Sequence, residues 1–200
     1  MKKIITETLL ENLKSDTREI ILRTSQLLTK DPELLLQQPG EGRWSIAQII
    51  EHLNSYGRYY LPLIERSLAN ANAAPNQFFI PGWLGNYFTR SMLPKKQGQV
   101  TNKMKAPKNH RPPTDINSKI VLEEFLGQEH LLLSMLDKAA ATDLEKIKIP
   151  ISISRFIKIN LGDTFSFLIA HHQRHFVQVR NTLEAVSYSR RSETIMIGGF

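Results

Sequence analysis

Three of the chain's six histidines fall within one hexapeptide, Ala170-His171-His172-Gln173-Arg174-His175. His171 and His175 are four residues apart, so on a helix they share one face, with Cβ atoms about 5–6 Å from each other. Two imidazoles at that spacing can bind one metal ion from the same side, as in helical zinc sites. The competing reading is a pair of ordinary helix histidines whose ring edges find water. His172 points about 100° away and reads as a surface residue. His52 lies far upstream, in line with Gln48, Ile49, Leu53 and Tyr56, and so faces inward. A lone histidine on such a face is commonly a hydrogen-bonded core residue. Opposite the His171/His175 pair it would complete a three-histidine site with an open position, the arrangement of catalytic zinc centres. His110 and His130 are not read as ligands. Gln48, Tyr56 and Gln178 stand one helical turn from the three histidines and suit roles in orienting them or touching substrate. Their plainer reading is helix-interior packing, or a simple cap for Gln48. No general base announces itself, since Glu51 is rotated off the face of His52, so the catalytic residues stay unknown.

Four long helices must position these groups. The first spans roughly Lys3 to Lys30, with Ile5, Leu9, Leu13, Ile20 and Leu27 at near-helical spacing. Asp31-Pro32 ends it, and Glu33 to Gln38 suits one short helical turn. The second starts at Ser45, where Ser45 and Gln48 fit a capping box, and Trp44 staples the entry. Pro62 is expected to kink or interrupt it, and it resumes to about Ala71. Residues 73–118 read as an irregular insertion with a short helix from Trp83 to Met92, whose Trp83, Leu84, Tyr87 and Phe88 pack inward. The third helix runs from about Asn117 to Ala141, with Ile120, Val121, Phe125, Leu132, Met135 and Leu136 on its buried side. Ile147 to Ile153 alternates, and Pro150 makes it an edge or a single isolated strand. The last helix runs from about Asp163, its N-cap, to Val186. Ser187 onward reads as a loose tail, with Ile195 to Phe200 as a docking segment. The fold class is all-α: a single domain over 1–200, a four-helix up-down bundle with a long loop between helices two and three.

Composition narrows the chemistry. At 200 residues with a hydrophobic fraction of 41 %, the chain can bury one sizeable core. Cysteine is absent, which excludes disulfides, thiolate metal sites and cysteine nucleophiles. No export signal is visible at the start, and no apolar run approaches the roughly 20 residues of a membrane span. The expectation is a soluble, cytoplasmic protein without a membrane partner. Net charge is +7. Much of the excess lies in residues 95–111, where Lys95, Lys96, Lys103, Lys105, Lys108 and Arg111 occur with no acid.

These motifs resemble those of the DinB-like superfamily, which includes the bacillithiol and mycothiol S-transferases and the YfiT-type metal-dependent hydrolases. The resemblance is carried by Arg43-Trp44-Ser45-Ile46-Ala47-Gln48-Ile49-Ile50-Glu51-His52-Leu53, with a histidine seven residues after the serine. It is carried again by Leu161-Gly162-Asp163-Thr164 and by His171 and His175 followed by Gln178. It implies that His52 joins His171 and His175 around a divalent metal (zinc, nickel, iron or manganese). It also implies a homodimer and, in members of known activity, transfer chemistry with low-molecular-weight thiols. The chain departs from the pattern in its long basic insertion.

The leading expectation is a metal-dependent enzyme, a thiol S-transferase or a hydrolase acting on a small-molecule substrate. The alternative is a non-catalytic metal-binding bundle, or one that grips nucleic acid or another anion through residues 95–111. Against nucleic acid, no aromatic is interleaved with those lysines to stack on bases.

Overall fold

A computed structural model describes residues 2–94 and 105–197, with side chains as far as Arg190. The order is β1 (Ile4–Ile5), α1 (Thr6–Leu28), α2 (Pro32–Leu36), α3 (Ile46–Ala69), β2 (Phe78–Phe79), α4 (Trp83–Met92), a 3-10 turn (Lys108–His110), α5 (Ser118–Ala139), β3 (Lys148–Ile151), β4 (Ser154–Asn160) and α6 (Leu161–Ile197). The chain is mostly helical, with two small two-stranded antiparallel sheets. α1 and α3 each pack against both α5 and α6.

Each long helix turns an apolar face inward. Beyond Thr6 at its start, the buried positions of α1 are Leu10, Leu13, Thr17, Ile20, Thr24 and Leu27, in alternating steps of three and four. The two threonines lie fully inside, where an unpaired hydroxyl would cost about 1–3 kcal/mol. Thr17 donates to the Leu13 carbonyl and Thr24 to that of Ile20, both at 2.8 Å. α3 begins with the expected capping box: the Ser45 hydroxyl accepts from Gln48 N–H, and the Gln48 side chain accepts from Ser45 N–H. Ile46, Ile49, Ile50, Leu53 and Ile64 of α3 are completely buried. The helix is continuous through Pro62 to Ala69. Pro62 removes only one donor, and packing on both sides keeps the turn in place.

Several expectations are corrected. Ile147 to Ile153 is not an isolated strand, because β3 pairs with β4 in a hairpin. Pro150 is tolerated beside the irregularity at Pro150/Ile151, where the ladder is already broken. Asp163 is not an N-cap. β4 passes directly into α6 at Leu161, and Asp163 sits in the first turn. The stretch after Ser187 is not a loose tail, since α6 continues to Ile197. Of the docking segment expected over Ile195 to Phe200, residues 198–200 lie outside the described residues. Trp83 and Tyr87 face solvent at 76 % and 63 % exposure. Gly85 and Phe88 are the side of α4 that faces the core. Gly85 permits this contact, since a Cβ there would lie 2.3 Å from the Cβ of Asp163. Ile120 is likewise exposed; Val121 is buried as expected, and Leu122 is buried where Ile120 was expected. Of the basic run, Lys95, Lys96 and Lys103 lie outside the described residues, while Lys105, Lys108 and Arg111 are exposed.

Candidate metal centre

α3 and α6 bring the three expected histidines together. His52 lies two turns into α3, on the face continued by Gln48 and Tyr56. His171 and His175 lie midway along α6, after a stretch from Leu161 that is buried almost all round. One nitrogen from each ring falls within 4.8 Å of the others. His52 Nε2 and His171 Nε2 face each other at 3.3 Å. The His52 and His175 ring centres are 4.7 Å apart, and those of His171 and His175 4.6 Å. His52 and His171 are buried, and His175 is half-buried.

The neighbours fix which nitrogens are free. His52 Nδ1 lies 2.6 Å from the backbone carbonyl of His110. A carbonyl only accepts, so Nδ1 carries the proton, and the neutral ring presents its Nε2 lone pair to the cluster. His175 Nδ1 lies 2.9 Å from Gln178 Oε1, and the same argument leaves its Nε2 free. His171 Nδ1 is buried with no hydrogen-bond partner. Burial holds all three rings neutral: the pKa of His52 is lowered to about 4, that of His175 to about 3, and that of His171 well below its ordinary value. Neutral imidazoles with converging lone pairs are the donor set that a first-row divalent cation takes. Without a cation or a shared proton, the facing lone pairs of His52 and His171 repel each other.

Aromatic rings wall the site. Trp44 lies 5.1 Å from His52 between ring centres, Tyr56 lies 4.5 Å from His171, and Phe167 stacks parallel to His171 at 5.8 Å. Burial pushes the Tyr56 phenol up to about 12, so it stays protonated at neutral pH. The hydrogen bonds of Gln48 go elsewhere than to the histidines. Its carbonyl oxygen caps α3 and accepts from Gln38, and its amide donates to the Pro113 carbonyl at 3.2 Å. Glu51 turns away and pairs with Arg58 at 2.7 Å. His130 is exposed on α5.

Two histidines depart from their sequence reading. His172 is not on the surface: it is 4 % exposed, with Nδ1 at 3.0 Å from the buried Glu129 of α5. The contact is close but not aligned as a hydrogen bond, and both ring nitrogens and Glu129 Oε2 lack such a partner. His110 is 6 % exposed and stacks on Tyr56 at 3.9 Å. Nothing in its spacing announced this, because the segment that carries it returns to α3 from 58 residues away. Phe167 had a signal: it stands one helical turn before His171.

The family model of the DinB superfamily matches residues 13–179. No curated protein and no solved structure matches the chain.

Proposed function

Because the chain belongs to the DinB superfamily, we propose that it is a metal-dependent enzyme whose divalent ion is held by His52, His171 and His175. The observation that carries this reading is the convergence of three neutral imidazoles, two buried and one half-buried, two of them turned toward the cluster by acceptors on Nδ1. The ring of packed helices α1, α5, α3 and α6 supports an up-down four-helix bundle as the scaffold.

A bound divalent ion would supply Lewis acidity that lowers the pKa of a water or thiol at the site. The protein's own residues do the rest. The His110 carbonyl and Gln178 hold two ligand rings in one tautomer. Trp44, Tyr56 and Phe167 exclude water from the walls. Burial keeps the Tyr56 phenol protonated, and its hydroxyl meets the Ser152 side chain while its ring lines the site. His175 is the least buried of the three, and its side is where a small-molecule substrate would approach the centre. We assign the chemistry to thiol transfer or hydrolysis, with a low-molecular-weight thiol as the substrate class to test first.

The experiment is elemental analysis of purified protein, followed by a screen of thiol cosubstrates with electrophilic acceptors. About one ion per chain and thiol-dependent turnover support the reading. Protein that takes up no divalent ion after metal reconstitution sinks it.

A further inference from the structure

The segment 106–113 leaves the basic insertion and lies along α3, on the same face that carries His52. Two attachments hold it there. Gln48 donates to the Pro113 carbonyl at 3.2 Å. His110 inserts its ring over Tyr56, with centres 3.9 Å apart and planes 23° apart. Gln48, His52, Ser55 and Tyr56 form one continuous strip of α3, so the segment follows a single helix face.

The proton order in this contact can be read. Ser55 Oγ lies 2.6 Å from the His52 carbonyl and 2.9 Å from His110 Nδ1. A carbonyl only accepts, so at that distance the hydroxyl proton goes to it. Ser55 Oγ therefore accepts from His110 Nδ1–H. The ring of His110 is thus fixed by a stack and a hydrogen bond at once. The same residue's carbonyl then meets His52 Nδ1–H at 2.6 Å. Locally, the 3-10 turn closes with His110 N–H on the Pro107 carbonyl at 3.0 Å, and Arg111 Nε returns to the Ala106 carbonyl at 3.2 Å.

We propose that His110 is a positioning residue for the metal centre: its ring, seated on Ser55 and Tyr56, holds its own carbonyl against His52, so that metal binding and docking of segment 106–113 favour each other. This rests on the metal reading above and adds a dependence that the reading does not require. A carbonyl on the non-ligating nitrogen fixes the ring's orientation and raises its basicity as a ligand. Coupling of this kind is reciprocal, so whatever the docked segment adds to metal affinity, the metal returns to docking.

Two measurements on the full chain test it. Zinc affinity is measured by competition with a chelator, and the cobalt-substituted absorption spectrum reports ligand geometry. Alongside, trypsin cleavage after the exposed Lys108 is followed by mass spectrometry with and without zinc. His110→Ala is expected to weaken zinc binding about 10–100-fold and to alter the cobalt spectrum. His110→Phe keeps the stack and the carbonyl but loses the Ser55 hydrogen bond, and is expected to bind zinc more weakly than wild type and more tightly than His110→Ala. Zinc should slow cleavage after Lys108 in wild type, and that protection should be lost in His110→Ala.

If His110→Ala fails to fold, Ser55→Ala removes the seat with less disturbance and should still weaken zinc binding. A folded His110→Ala that binds zinc as tightly as wild type, with an unchanged cobalt spectrum, overturns the proposal and leaves the metal reading standing. A wild-type chain that takes up no divalent ion overturns both.

Discussion

On one face of α6, His171 and His175 meet His52, and the charged groups that bear on the three rings are histidines and Arg174. On another face of the same helix, one residue along, His172 meets Glu129 at 3.0 Å. Both groups are buried, and both leave polar atoms without hydrogen-bond partners. The difference lies in what each lacks. The first has three lone-pair donors and no acid, so a cation completes it. The second already sets an imidazole beside a carboxyl inside the core, so it contains both a donor and an acceptor group without any cation. Burial of a histidine therefore says little about metal binding; the company on the opposite helix decides.

The largest effect that separates them is loss of metal. His171→Ala is expected to abolish metal content by elemental analysis, while Glu129→Gln keeps it. A His171→Ala protein with full wild-type content would erase the distinction. Next comes stability. Glu129→Ala leaves His172 without its neighbour in the core and opens space there, and is expected to cost about 3 kcal/mol in urea unfolding with metal stoichiometry unchanged. A cost within about 0.5 kcal/mol, the range of ordinary surface changes, would mean that the pair is incidental.

A finer test concerns the partners that orient the cluster. Gln178→Ala frees His175 Nδ1 and is expected to weaken metal binding about 10–100-fold, read by chelator competition, with little change in unfolding. An affinity equal to wild type would show that Gln178 is mere packing.

The smallest effect contrasts both groups with the acid at the start of α6. Burial raises the Asp163 carboxyl from 3.8 to about 6, although it accepts the Gly82 N–H at 2.8 Å. Between those values the folded chain holds more protons at Asp163 than the unfolded chain does. Its contribution to stability therefore falls as pH rises from about 4 to about 6, with a slope no steeper than about 1.4 kcal/mol per pH unit. Asp163→Asn should flatten that slope in urea titrations over this window; an unchanged slope would refute the assignment.

Much of this site was legible because helices repeat. The i, i+4 spacing of His171 and His175, and the start of α3 at Ser45, need only local rules. His52 needed the family pattern, since nothing local says which helices will face each other. What spacing could not supply were partners that arrive from elsewhere in the chain. Glu129 on α5 converts His172 from a surface residue into a core one. His110 reaches α3 from a loop whose composition advertises only charge. The hairpin escapes the sequence for a related reason: β4 leaves Phe156 and Ile157 in solvent, Phe156 at 95 % exposure, and buries only Ile159 of its apolar residues, so its pattern does not read as half-buried. Trp83 and Tyr87 misled in the opposite sense. Size suggested burial, but Gly85 is what lets α4 approach Asp163.

The cluster's donor set has a consequence for charge balance. Three neutral nitrogens contribute no negative charge. The nearby Glu51 is engaged with Arg58, and Glu129 faces His172. A dication seated among these rings would keep its full +2 in a poorly solvated setting. Neutralisation would then have to come from whatever enters: hydroxide, a thiolate, or a carboxylate carried by a ligand. Such a centre selects its guests by charge before it selects them by shape, and small anions should compete with substrate for it.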